Sequence, residues 1–254
     1  RKDVLSKMAW DKAKVQEKIE LLSSEMTMVH KASQIFGWSN EVVQLAQENI
    51  STVINVLKTE SVFSDLNFLL RNKKNIKLIS HTMILTLMLT DMIKRLSWES
   101  NRSIEKLTFA AIMHDLSLDE ELFAEKQTLL MVNDISILKS TSEGNRLLNH
   151  PTQAADIVAS WPMCPSEVDT IIRQHHERPD GQGFPEELPA FKISPLAALF
   201  IMCEDLIYEV FVSSECDLKK HLSEKQGYYS REPFVGIYGT LMEVLEKING
   251  PVSF

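Results

Sequence analysis

The chain has 254 residues, 44% hydrophobic and 24% charged, with a formal net charge of −8. That length suits one or two domains with a sizeable buried core, and the composition excludes wholesale disorder. The acidic balance argues against non-specific binding to nucleic acid or to an anionic membrane, so a phosphate substrate would need local cations to draw it in.

Gly (8) and Pro (9) are scarce, which means few hairpins and tilts the reading toward helices. Cys164, Cys203 and Cys216 form no CxxC pair and are odd in number, as expected of a protein in a reducing cytoplasm. The most apolar stretch, Leu78 to Leu89, is too short to span a bilayer and contains His81, so no membrane segment is expected. No signal peptide opens the chain, and a start at Arg1 reads as a fragment or a trimmed product.

Leu5, Met8, Val15, Ile19, Leu22, Met26 and Val29 fall at spacings of three and four, with Lys12 interrupting. This predicts an amphipathic helix with a heptad-like seam, expected to pack on the rest of the chain; the sharper alternative is a homodimer or signalling contact. Gly37 stops that helix, Ser39 or Asn40 caps a second that runs to Leu57, and a third begins near Ser61. Residues 1–70 thus read as an N-terminal helical unit, regulatory or structural. Residues 71–254 form the second domain, the boundary resting on the polar, basic stretch 71–77.

A helix is expected from Asn75 to Arg95, carrying His81. Ser103 caps the next, which ends at His114-Asp115, and Ser117 with Glu120 has capping-box spacing for another. Pro151, after His150, suits the first turn of a helix reaching Ala159. Residues 166–176 are predicted helical and end in His175-His176. A loop with Gly181, Gly183, Pro185 and Pro189 leads to a helix that starts at Ser194-Pro195 and carries Asp205. The last helix runs from Pro233 to Lys247 and ends at Gly250-Pro251. No strand is expected, so the class is all-α.

The histidines are the informative residues. Five of the seven, His81, His114, His150, His175 and His176, fall at or near the ends of separate predicted helices. At a helix end the backbone opens enough for adjacent side chains to converge, and imidazole with carboxylate suits Fe, Mn, Zn, Ni or Co. His30 and His221 are read as ordinary core or surface residues without a role.

His114-Asp115, preceded by the apolar run Phe109-Ala110-Ala111-Ile112-Met113, resembles the motif of the HD superfamily of metal-dependent phosphohydrolases. The segment His175-His176-Glu177-Arg178-Pro179-Asp180-Gly181-Gln182-Gly183-Phe184-Pro185 is similar to the HHExxDGxGYP signature of the HD-GYP subfamily. The resemblance covers about residues 75–215. It implies an HD-domain helical bundle that hydrolyses cyclic di-GMP, a related cyclic dinucleotide or another phosphate ester with two divalent transition-metal ions, Fe or Mn ahead of Zn, Ni or Co. By the same resemblance, one metal takes His81, His114, Asp115 and Asp205. The other takes His150, His175 and His176, with Asp115 bridging the two and orienting the attacking hydroxide. Glu177 and Asp180 are implied to order the loop, Gly181 and Gly183 to permit its turn, and Phe184 to keep the ring of the motif's tyrosine.

The motif usually reads HDxGK, whereas Leu118 stands at the lysine position. Phe184 lacks the tyrosine hydroxyl. Lys77 stands where three-metal members carry glutamate, which favours two metals. Ser213-Ser214-Glu215 stands where basic phosphate-binding residues would follow, with Lys219 and Lys220 further on. The ligands look complete and the phosphate contacts thinned. The leading expectation is therefore a phosphodiesterase. The alternatives are an inactive signalling scaffold that binds a nucleotide or a partner protein, and, last, a di-iron oxygenase on the same ligands.

Overall fold

The computed structural model describes residues 15–59, 78–98, 100–131, 135–212 and 217–247. The helix expected near Ser61, the 71–77 boundary with Lys77, residues Leu5 and Met8 of the seam, Ser213–Glu215, Cys216 and the stop at Gly250-Pro251 lie outside those residues. The described elements are α1 (Val15–Phe36), α2 (Asn40–Thr59), α3 (Leu78–Ile93), α4 (Asn101–Met113), α5 (Glu120–Met131), α6 (Ile135–Leu138), α7 (Ser142–Ala159), α8 (Val168–Gln174), a 3-10 turn (Ala190–Lys192), α9 (Pro195–Val212), α10 (Leu218–Glu224) and α11 (Phe234–Lys247). The fold is all-α, with no strand among the described residues. None of their helices is long and apolar enough to cross a membrane.

Helix α3 is the axis of the bundle. It is apolar all round and buried along nearly its whole length, as a helix enclosed by others must be. Its three core hydroxyls cost little, because Thr82, Thr86 and Thr90 each donate to the carbonyl four residues back, at Leu78, Thr82 and Thr86. Helices α4, α9 and α1 pack against it, and α8 is wedged among α4, α7 and α9. The α1 seam residues Leu22, Met26 and Val29 are buried in this common core together with Ala46, Ile50 and Val53 of α2. That seam therefore packs within the chain, while Leu21, Met28 and Ile35 stay on the outer face of α1.

Three helix starts differ from expectation, each because another residue makes the capping bond. Ser100, not Ser103, caps α4: its hydroxyl accepts from Ser103 N. Asp119, not Ser117, caps α5, accepting from Leu122 N at 2.8 Å. Thr141 caps α7 by accepting from Gly144 N, so Pro151 lies inside that helix rather than in its first turn. For α2 the cap is Ser39. The short α6 and α10 were not foreseen, since neither carries a full period of apolar residues.

Candidate metal centre

Pro151 explains how His150 is aimed. A proline inside a helix has no N–H for the carbonyl four residues back, here that of Leu147. That carbonyl accepts Nδ1–H of His150 instead. The same local device recurs at two helix ends, where the last carbonyls lack intrahelical partners. His114 Nδ1 donates to Ala111 O at 2.8 Å, and His175 Nδ1 donates to Ile172 O at 2.6 Å. A carbonyl can only accept, so in all three rings Nδ1 carries a proton, and the neutral ring then keeps its lone pair on Nε2, the atom turned to the site.

Those lone pairs converge. His150 Nε2 lies 3.1 Å from His175 Nε2 and 3.1 Å from Asp115 Oδ1. His175 Nε2 is 3.8 Å from the same oxygen. The His176 ring lies against His175, tilted by 44°, with centroids 4.1 Å apart. On the other side of Asp115, His114 Nε2 lies 3.1 Å from Oδ2 and 3.8 Å from Glu204 Oε2, and His81 Nε2 lies 3.3 Å from Glu204 Oε1. Two groups result, Asp115–His150–His175–His176 and His81–His114–Asp115–Glu204, each with ligand atoms within 4.8 Å of one another. Asp115 belongs to both. The structure thus brings together six of the seven expected ligands.

Asp205 is the exception. Its carboxylate accepts from Tyr229 Oη at 2.9 Å and His221 Nε2 at 3.1 Å, and pairs with Lys225. It fastens α10 and the following turn to α9. Consecutive residues on a helix point about 100° apart, so only one of Glu204 and Asp205 can face the histidines, and α9 is rotated to present Glu204. No sequence signal separates the two, because the helix is apolar on all sides. His221, read as role-free, bridges Asp205 and Glu209, its Nδ1 lying 3.2 Å from the Glu209 carboxylate. Glu204→Gln is expected to weaken ion binding by about tenfold or more. Asp205→Asn is expected to leave ion stoichiometry unchanged and to cost about 1–3 kcal/mol of stability. Calorimetric ion titration and thermal melting of both variants check this.

A second unforeseen residue is Lys126 of α5, only 4% exposed. Its Nζ donates to Asp115 Oδ2 at 2.7 Å and Glu204 Oε1 at 3.2 Å. Leu118, at the motif's lysine position, instead packs with Leu78, Leu122 and Phe123.

The loop after His176 closes one wall. Gly183 permits its close approach, since a Cβ there would sit 2.5 Å from backbone atoms of His176, Glu177 and Arg178. Gly181 takes φ +75°. Glu177 is buried and accepts from Glu186 N and Leu188 N at 2.7 and 2.8 Å. Asp180 accepts from Gln182 N and pairs with Arg178. The Phe184 ring stacks on His176, centroids 4.6 Å apart.

The electrostatics match this geometry. Burial lowers the basicity of His150, and holds His175 and His176 well below the usual imidazole range, helped by neighbouring rings. Burial alone would raise the Asp115 and Glu204 carboxyls. Their partners outweigh it and hold both well below the ordinary range, His114 and Lys126 foremost at Asp115, Lys126 and His81 at Glu204. Burial pulls His114 down, but Asp115 and Glu204 outweigh it and raise it. For Lys126 too, the two carboxylates outweigh the lowering by burial and keep it charged.

The site fits a pair of metal ions. His114 Nε2, Asp115 Oδ1, His176 Nε2 and Glu204 Oε2 are buried and make no hydrogen bond within the chain. Facing lone pairs 3.1 Å apart on His150 and His175 repel unless a cation lies against both. An all-helical bundle with two such adjoining groups is the architecture of a metal-dependent hydrolase of the HD superfamily. Residues 68–206 match the family model for the HD domain, and the chain belongs to that family. Its fold is similar to that of Bd1817, an HDG"Y"P protein from Bdellovibrio bacteriovorus. The TM-score is 0.62 at 16% identity, over 92% of this chain and 74% of that one, a likeness of fold. No curated protein sequence matches the chain.

Proposed function

We propose that this chain is a dinuclear metal-dependent phosphodiesterase that acts on cyclic di-GMP or a related phosphodiester in the bacterial cytoplasm. The carrying observation is that His150 and His175 converge on Oδ1 of Asp115 while His114 meets its Oδ2, so that one carboxylate joins two ligand groups. Two divalent ions, Fe or Mn foremost, would activate water and neutralise charge on the phosphoryl oxygens. Asp115 joins the two groups and holds them in register. His81, His114 and Glu204 hold one ion; His150, His175 and His176 hold the other. The Phe184 ring and the Glu177-anchored loop keep His176 oriented and the wall of the site closed. Helices α1 and α2, packed into the common core, brace α3 and α4.

The second reading, a nucleotide-binding scaffold without turnover, is favoured by the absence of polar reach at Leu118 and Phe184. Both are buried and apolar where the resemblance expects a lysine and a tyrosine. The deciding experiment incubates Mn²⁺- or Fe²⁺-loaded protein with cyclic di-GMP and with bis(p-nitrophenyl) phosphate. Turnover that chelation abolishes is the expected result. Cyclic di-GMP binding by calorimetry with neither compound cleaved would replace the enzyme by the scaffold.

A further inference from the structure

Lys126 hydrogen-bonds the carboxylates of the centre and no imidazole, and it meets both carboxylates of one group. Its two hydrogen-bond partners, Asp115 Oδ2 and Glu204 Oε1, are carboxylate oxygens of the His81–His114–Asp115–Glu204 group, and it hydrogen-bonds none of His150, His175 or His176. It reaches them from α5, a helix that supplies no member of either group. The two groups also differ in charge: one has a single carboxylate among three imidazoles, the other two carboxylates among two imidazoles.

We propose that Lys126 is a built-in counter-cation that makes the two ion positions unequal. The ion at Asp115, His150, His175 and His176 binds tightly, and the ion at His81, His114, Asp115 and Glu204 binds weakly, in competition with the ammonium. This rests on reading both groups as metal ligands. The physical reasons are two. Nζ already engages one oxygen of each carboxylate, so an incoming ion finds those lone pairs shared. It also meets a fixed positive charge a few ångströms away in a buried setting, where water screens little. In the ion-free chain the same ammonium offsets two buried carboxylates that would otherwise stand side by side. The result is a chain that folds and holds one ion at low metal supply and completes its pair only as supply rises.

The test titrates Mn²⁺ into ion-free wild type, Lys126→Met, Lys126→Gln and Lys126→Arg by calorimetry, with thermal melting alongside. Wild type is expected to bind one ion tightly and a second at least about tenfold more weakly. Lys126→Met and Lys126→Gln are expected to bind the second ion at least about tenfold tighter than wild type does. Their ion-free forms should melt lower than wild type and gain more from Mn²⁺. Lys126→Arg keeps the charge and should keep the wild-type pattern. If Lys126→Met does not fold, Lys126→Gln carries the comparison, because its amide still donates to the carboxylates. Second-ion affinity unchanged or weakened in the neutral variants overturns the counter-cation and leaves the metal reading standing. Absence of Mn²⁺ binding in wild type overturns both.

Discussion

Asp115→Asn is expected to empty both ion positions at once and to cut phosphodiester hydrolysis by about a thousandfold or more, the several kcal/mol of charge stabilisation that metal ions supply. The carboxylate is shared. Oδ1 lies 3.1 Å from His150 Nε2, while Oδ2 lies 3.1 Å from His114 Nε2 and accepts from Lys126 at 2.7 Å. Asparagine keeps the shape, but one of its two terminal atoms becomes a donor. Facing His150, the amide NH₂ fills an imidazole lone pair meant for an ion; facing Lys126, it sets donor against donor. Either orientation disables one group directly and removes the charge that both need. Lys126 is then left buried with Glu204 alone, and breaking such a pair costs about 3–5 kcal/mol. Elemental analysis beside thermal melting reads both effects. His150→Ala, by contrast, should lose one ion and keep the other, since His150 belongs to one group only.

Gly183→Ala is expected to destabilise the chain by about 3 kcal/mol or more and to weaken ion binding at the His150–His175–His176 group. The added methyl would sit 2.5 Å from His176 O, Glu177 Cα and Arg178 N, all backbone atoms that cannot turn aside as a side chain can. The loop returns at that point, with Phe184 N donating to His176 O at 3.0 Å. Pushing it outward removes the Phe184 ring from His176 and pulls Glu177 from the two backbone N–H groups it holds. Gly181→Ala separates conformational cost from collision. Its φ is +75°, yet nothing lies closer than 3.9 Å to the added atom, so the cost should stay near 1 kcal/mol. Melting temperatures of the two variants and their Mn²⁺ titrations test the contrast.

Much of the centre was legible along the chain because its parts are locally determined. A histidine at a helix end, or before a proline, finds a spare carbonyl within its own turn, and that bond alone aims Nε2 outward; His114, His150 and His175 all do this. The glycines of the loop are equally local, since backbone returning on backbone leaves no room for a Cβ. Helix content and the buried seam of α1 follow from apolar spacing in the same way. What needed the folded chain is what depends on how helices are rotated and which of them meet. Glu204 rather than Asp205 faces the histidines because α9 is turned by its packing on α3 and α8, and the apolar surface on both sides of that helix gives no hint of the angle. Lys126 reaches Asp115 and Glu204 from α5, while Leu118 at the motif's lysine position turns into an apolar cluster, and neither placement has a counterpart in spacing. Residue order therefore marked the five histidines and the family, through motifs that are contiguous along the chain, and three of those rings are aimed by bonds within one turn. Tertiary packing alone decided the last carboxylate and the resident cation, because each depends on the relative placement of helices that only the shared core sets.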